Sequence, residues 1–177
     1  MHVKVRFRTM VQVHIDDAVL RQAATAGMDD FLEAFAGAIR EAIGGELNAD
    51  NMGELNSDQI TLLGYLMLRD SVMDGGFIEL IHNGLGEFIF FNPFGKAVRE
   101  WGLRDLYKLL DKCSRYFKKY RLEIEHDCTQ EEFDALYERY PEFDDFDDYF
   151  VEHEEEFTEA VAQYVDDHIN DFAVIDK

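Results

Sequence analysis

Apolar and polar residues alternate along the start of the chain. Val3, Val5, Phe7, Val11, Val13 and Ile15 hold odd positions, and His2, Lys4, Arg6, Arg8, Gln12 and His14 hold even ones. Period two is the mark of a half-buried strand, so Val3 to Ile15 reads as one long strand. Its pairing partner is open. The only other segment that reads as a strand is EFIFFN, Glu87 to Asn92.

From Asp16 the period becomes helical. Asp16 or Asp17 can cap a short helix to about Thr25, and a second runs from about Asp29 through Phe31, Leu32, Phe35, Ile39 and Ile43 to Gly44-Gly45. Glycine there can take the left-handed cap at little steric cost. Glu46 to Asn56 is a polar loop. Ser57, with Asp58 after it, can cap the next helix, whose buried stripe is Ile60, Leu63, Leu66 and Met67. Asp74-Gly75-Gly76-Phe77 reads as a tight link into a short helix that closes at Asn83-Gly84. Pro93 opens another, up to Trp101-Gly102. Leu103 to about His126 is the longest helical pattern. It carries Leu106, Leu109, Leu110, Cys113, Phe117 and Tyr120 on one face and Lys108, Lys112, Arg115, Lys118, Lys119 and Arg121 on the other.

Thr129, with Glu132 three residues on, is a capping box. Its helix carries Phe133, Leu136, Tyr137 and Tyr140 before Pro141. Beyond it, Phe143, Phe146 and Phe150, then Phe157, Val161, Tyr164, Val165, Ile169 and Phe172, mark one long or two shorter helices. The predicted fold is mostly α: a compact multi-helix domain with an N-terminal β-strand or small sheet, α+β at the margin. At 177 residues, with two prolines and no Ser- or Gly-rich linker, residues 1–177 read as a single domain.

Charge changes this picture. From Glu123 onward there are 21 Asp or Glu against Arg139 and Lys177, so the last third carries nearly all of the net charge of −21. A polyanionic tail without apolar residues would be disordered. Here aromatics interrupt it at helical spacing, so it can fold and hold its carboxylates in a fixed pattern. Glu142 to Asp171 contains thirteen carboxylates in thirty residues. Drawn out as helix, that is about one charge per ~3.5 Å, close to the ~3.4 Å per charge of one DNA strand. Such a surface suits a basic partner, and it argues against direct binding of nucleic acid or anionic membrane.

Other chemistry is not encoded. His153-Glu154-Glu155-Glu156-Phe157 begins like HExxH but ends in phenylalanine. Asp144, Asp145, Asp147 and Asp148 lack the central glycine of a calcium loop. Gly84-Leu85-Gly86 continues to Ile89, not to a third glycine. No P-loop or nucleophile elbow occurs, and nothing separates a general acid from a general base. Cys113 and Cys128 form no CxxC pair and read as reduced thiols. No stretch reads as a signal peptide or membrane span. The expectations are a cytoplasmic protein, no catalytic residues, no cofactor and no metal.

Ser57 to Gly102 resembles the central region of a bacterial family of DNA-mimic proteins first named from Neisseria. The similar pieces are DQITLL, LRDSVMDGGFIELI, NGLG, Asn92-Pro93-Phe94 and Trp101-Gly102-Leu103. The acidic continuation EEFDALYERYPEFDDFDDYFVEHEEE looks like that family too, and the resemblance covers about residues 57–172. It implies a mostly helical, cytosolic, often dimeric protein that occupies the DNA-binding face of a transcription regulator. Residues 1–56, the strand and two helices, lie outside it.

The partner-binding surface is expected at Asp144, Asp145, Asp147, Asp148, Glu152, Glu154, Glu155, Glu156 and Glu159, the densest run of carboxylates. A helix turns ~100° per residue, so Asp148, Glu152, Glu155 and Glu159 share one face if the helix is continuous. An immunity-type protein neutralising a basic toxin or nuclease would use the same face. A ligand pocket in the Gly-rich centre, between Asp74 and Phe94, is a further alternative.

Overall fold

The computed structural model describes residues 9–177. It divides into two compact units: Met1–Leu63 with Ala162–Lys177, and Gly64–Val161. The fold is mostly helical, with a small two-stranded parallel sheet.

In the first unit, β1 (His14–Asp16) pairs with β2 (Val174–Asp176), His14 opposite Val174 and Asp16 opposite Asp176. The long strand expected over Val3–Ile15 is therefore corrected. Residues 1–8 lie outside the described residues, and beyond them only His14–Asp16 is strand. A strand extends only as far as its neighbour, and β2 has three residues.

Asp16 leaves β1 and caps α1 (Asp17–Ala26), its carboxylate accepting from the Ala18 N–H at 2.8 Å. α2 (Met28–Ile43) follows and ends on Gly44 at φ 83°. Leu20, Leu32, Phe35 and Ile39 are buried, and the Phe35 ring meets Phe31 at 5.2 Å and Phe172 at 6.2 Å. α3 (Ser57–His82) is capped by Asn56, not by Ser57. Asn56 Oδ1 accepts from the Gln59 N–H at 2.8 Å and Gln59 Oε1 from the Asn56 N–H at 3.0 Å, a reciprocal pair that satisfies two otherwise orphan donors. The amides of Asn56 and Gln59 also donate to the Asp171 and Phe172 carbonyls, at 2.7 and 2.9 Å.

The second unit holds the rest of α3, α4 (Gly86–Phe90), α5 (Phe94–Glu100), α6 (Arg104–Ile124), α7 (Gln130–Arg139) and α8 (Asp144–Asp167) as far as Val161; α9 (Ile169–Phe172) belongs to the first. α3 breaks at Gly76, the expected link, which sits at φ 76°, ψ −173°. EFIFFN is not a strand: its first four residues lie in α4. Phe88, Phe90 and Phe91 are each half-buried, so the run shows no single buried side, and all three rings find aromatic neighbours. Phe88 meets Phe94 at 5.5 Å, Phe90 meets Phe117 at 5.0 Å, and Phe91 meets Phe117 at 5.6 Å. Phe77 joins this cluster to Phe150 of α8 at 6.4 Å. Gly86 makes it possible, because a β-carbon there would stand 2.2 Å from the Phe117 ring.

Candidate partner-binding surface

Pro141 stops α7, since it has no N–H with which to continue the helical ladder. One 3₁₀ turn, Pro141–Phe143, leads into α8. Asp144, Asp145 and Asp147 occupy the first turn of α8, where the partial positive charge of the free N–H groups favours carboxylates. They begin a helix and do not form a loop.

Phe146, Phe150, Phe157 and Val161 recur along one side of α8, and the last three are buried. Phe150 meets Phe157 at 5.7 Å and Phe146 meets Tyr116 of α6 at 5.7 Å. Asp148, Glu152, Glu155 and Glu159, at steps of four, three and four residues, lie on the opposite side. With ~100° per residue they fall within about 60° of one another, along ~16 Å of axis. All four are exposed, and so are Asp144, Asp145 and Glu156. Among the described residues none of these seven carboxylates takes part in an ion pair. The buried aromatic side fixes the rotation of the helix, and that rotation holds the acidic side in water.

The other two expected site residues point differently. Asp147 is half-buried, and its Oδ1 accepts from the Phe77 N–H at 2.8 Å. It thereby caps the helical segment that restarts after Gly76. Burial pushes its carboxyl up to about 7; Asp144 and Asp148 add to this and the Phe77 N–H opposes it. Glu154 is half-buried too. Its Oε1 accepts from the Thr158 hydroxyl at 2.9 Å, and the Thr158 oxygen lies 2.7 Å from the Tyr65 hydroxyl. Tyr65 and Thr158 are buried, so Glu154 ends a polar chain inside the unit. At ~100° per residue these two lie nearer the aromatic side than the other seven; what they bind there, the Phe77 N–H on α3 and Thr158 with Tyr65 beyond it, comes from the tertiary packing.

The basic face of α6 is also in place. Lys108, Lys112 and Arg115 are exposed. Arg121 pairs with Glu87 at 2.7 Å and with Glu125 at 3.3 Å, and its guanidinium covers the Phe117 ring at 4.8 Å. Lys118 lies over Phe91 and Lys119 over Tyr120, at 5.8 and 5.1 Å.

Beside the acidic stripe, Asp105, Lys108, Leu109 and Lys112 of α6 and Asp145, Phe146 and Tyr149 of α8 line a cleft of about 250 Å³. Tyr149 stacks on His153, with ring centroids 4.0 Å apart. Asp105 and Tyr149 were not among the expected site residues. The only sequence signal for them is their position flanking the charged faces of two helices far apart in the chain.

A family model described as DMP19-like protein matches residues 53–168. That span runs from just before α3 to just past the end of α8. The DNA mimic protein DMP19 of Neisseria meningitidis serogroup B (strain ATCC BAA-335 / MC58) is 31% identical over 119 residues, which cover 67% of this chain and 72% of that protein. Among the described residues no helix is long and apolar enough to cross a membrane.

Proposed function

Because the chain belongs to the DMP19-like family, we propose that it is a non-enzymatic DNA mimic acting in the cytoplasm. Its acidic face occupies the DNA-binding face of a transcription regulator or another DNA-binding protein. One observation carries the reading: seven exposed carboxylates, free of ion pairs among the described residues, stand on a helix whose opposite side is locked into an aromatic core. A flexible acidic tail would lose conformational entropy on binding. A helix already held in place avoids most of that cost.

In this mechanism the carboxylates take the place of phosphates opposite the partner's Lys and Arg. They speed encounter through long-range attraction and exclude DNA by occupation. The test is a competition among a regulator recovered with the protein from its host, the operator DNA of that regulator, and this protein or its variant D148N/E152Q/E155Q/E159Q. Wild type is expected to displace the DNA, with strong salt dependence, and the variant to displace it poorly. Failure of the wild type to displace DNA from a regulator it binds would refute the proposal, as would equal displacement by the variant. Recovery of a basic toxin or nuclease in place of a regulator would assign the same face to neutralisation.

A further inference from the structure

The carboxylate stripe of α8 stands beside a stripe of the opposite sign. The chain has 17 Lys and Arg in all. Six of them are concentrated on the exposed side of α6: Arg104, Lys108, Lys112, Arg115, Lys118 and Lys119. Lys108, Lys112, Arg115 and Lys119 follow one another at steps of four, three and four residues. They fall within about 60° of helix surface, along ~16 Å of axis, which is the spacing of Asp148, Glu152, Glu155 and Glu159 on α8. Among the described residues none of these four cations takes part in an ion pair.

The cleft marks where the two signs meet. Lys108 and Lys112 line it from α6, with Asp105, and Asp145 lines it from α8. Tyr149, Glu152 and Glu156 follow Asp145 at steps of four, three and four residues, so this edge of α8 carries three exposed carboxylates. Phe146 and Tyr149 supply aromatic surface at the seam, and the stack on His153 at 4.0 Å holds the Tyr149 ring. Lys108, Lys112 and Asp145 line one cleft yet make no ion pair with one another. Both signs are therefore open to a partner.

DNA presents one sign along its whole length. This face changes sign across a single cleft. A partner that is basic throughout is attracted by α8 and repelled by α6. A partner whose basic groove is bordered by acidic side chains is attracted by both. We infer that the basic stripe of α6 selects the partner: the protein takes DNA-binding proteins with an acidic border beside the basic groove, seats that border on Lys108 and Lys112, and rejects uniformly basic proteins that DNA itself would accept. This rests on the proposed function, because it needs a basic partner on α8. Selectivity then comes from a repulsive element as much as from an attractive one. Neutralising two such exposed cations is expected to change affinity about threefold to tenfold.

The experiment uses the full chain and two probes: nona-arginine, and a bipolar peptide of five arginines, two glycines and five glutamates. Calorimetry in about 0.15 M salt, where charges act over about 8 Å, measures both affinities for wild type, K108Q/K112Q and K96Q/R139Q. The last variant loses the same charge at residues that line no part of the cleft. K108Q/K112Q is expected to bind nona-arginine about threefold to tenfold more tightly than wild type, and the bipolar peptide more weakly by the same factor. The control should move each affinity less than about twofold. An unchanged or tighter affinity of K108Q/K112Q for the bipolar peptide overturns the inference. So does a control that matches K108Q/K112Q, and both outcomes spare the proposed function. Carbodiimide coupling, read by mass spectrometry, should join glutamates of the bipolar peptide to Lys108 or Lys112; links confined to other lysines overturn the inference. Sedimentation of the wild type alone addresses a second copy of the chain: self-association that K108Q/K112Q abolishes would give the stripe to that copy and overturn the inference as well. Nona-arginine binding unaffected by D148N/E152Q/E155Q/E159Q, or none at all, overturns the proposed function and this inference with it.

Discussion

Replacing Gly76 by alanine tests whether the α3 break and its carboxylate cap form one unit. Gly76 holds φ 76°, ψ −173°, a region essentially reserved for glycine, where another residue costs about 1–3 kcal/mol. The new β-carbon would also meet Asp147 Oδ2 at 2.4 Å and its Cγ at 2.7 Å. Asp147 must then move and release the Phe77 N–H, and an N-cap bond of this kind contributes about 1 kcal/mol. Together Gly76→Ala should lose about 2–4 kcal/mol of stability. Gly75→Ala is the control. Gly75 has no positive φ, and the three atoms nearest its β-carbon would all belong to Glu79, the Cβ at 2.8 Å among them. The Glu79 carboxyl can swing aside but its Cβ is anchored to the backbone, so overpacking costs about 1–3 kcal/mol, offset by the about 0.5–1 kcal/mol that alanine gains over glycine within a helix. The net loss at Gly75 should be about 0–2.5 kcal/mol, smaller than at Gly76. Urea unfolding of the two variants, followed by circular dichroism, measures both. A loss below about 1 kcal/mol for Gly76→Ala, or equal losses for the two, would refute the account of the break.

Asp147→Asn should stabilise the protein at pH 8 by about 1–2 kcal/mol, out of a limit of about 4 kcal/mol for a carboxyl moved from 3.8 to about 7. The sign follows from proton binding: the folded chain binds the proton more tightly than the unfolded one, so the associated stability is complete below pH 4 and is lost as pH rises through 7. Unfolding curves of the variant and wild type should therefore converge toward pH 4, and parallel pH profiles would contradict the burial of this carboxyl. Gly86→Ala should cost about 1–3 kcal/mol by overpacking, because Phe117 is buried and hemmed in by Phe90, Phe91 and Arg121; unchanged urea stability would mean that the cluster is loose. The melting temperature should rise from low to moderate salt as screening relieves repulsion along α8, and a fall would mean that these carboxylates are paired in solution.

How far the chain could be read without its fold depends on how local each signal is. The caps at Asp16 and Thr129, the left-handed end at Gly44 and the break at Gly75-Gly76 are set by neighbours within a turn or two, and all are where the sequence places them. The sides of α6 and α8 follow from period alone, so the exposed stripe Asp148, Glu152, Glu155 and Glu159 was legible as well. Strand extent was not, because a strand is defined by its neighbour, and the neighbour of β1 is three residues at the other end of the chain. EFIFFN was misread because a run of aromatics that are each half-buried shows no clear period. The inward turn of Asp147 and Glu154 depends on a backbone N–H at Phe77 and a hydroxyl chain at Thr158 and Tyr65. The sequence by itself determined most of the helices, the family and the density of charge, since these depend on residue type and short spacing. Only the tertiary structure decided which carboxylates face water and which one turns inward against a helix break, because burial and hydrogen-bond partners come from residues far away in the chain.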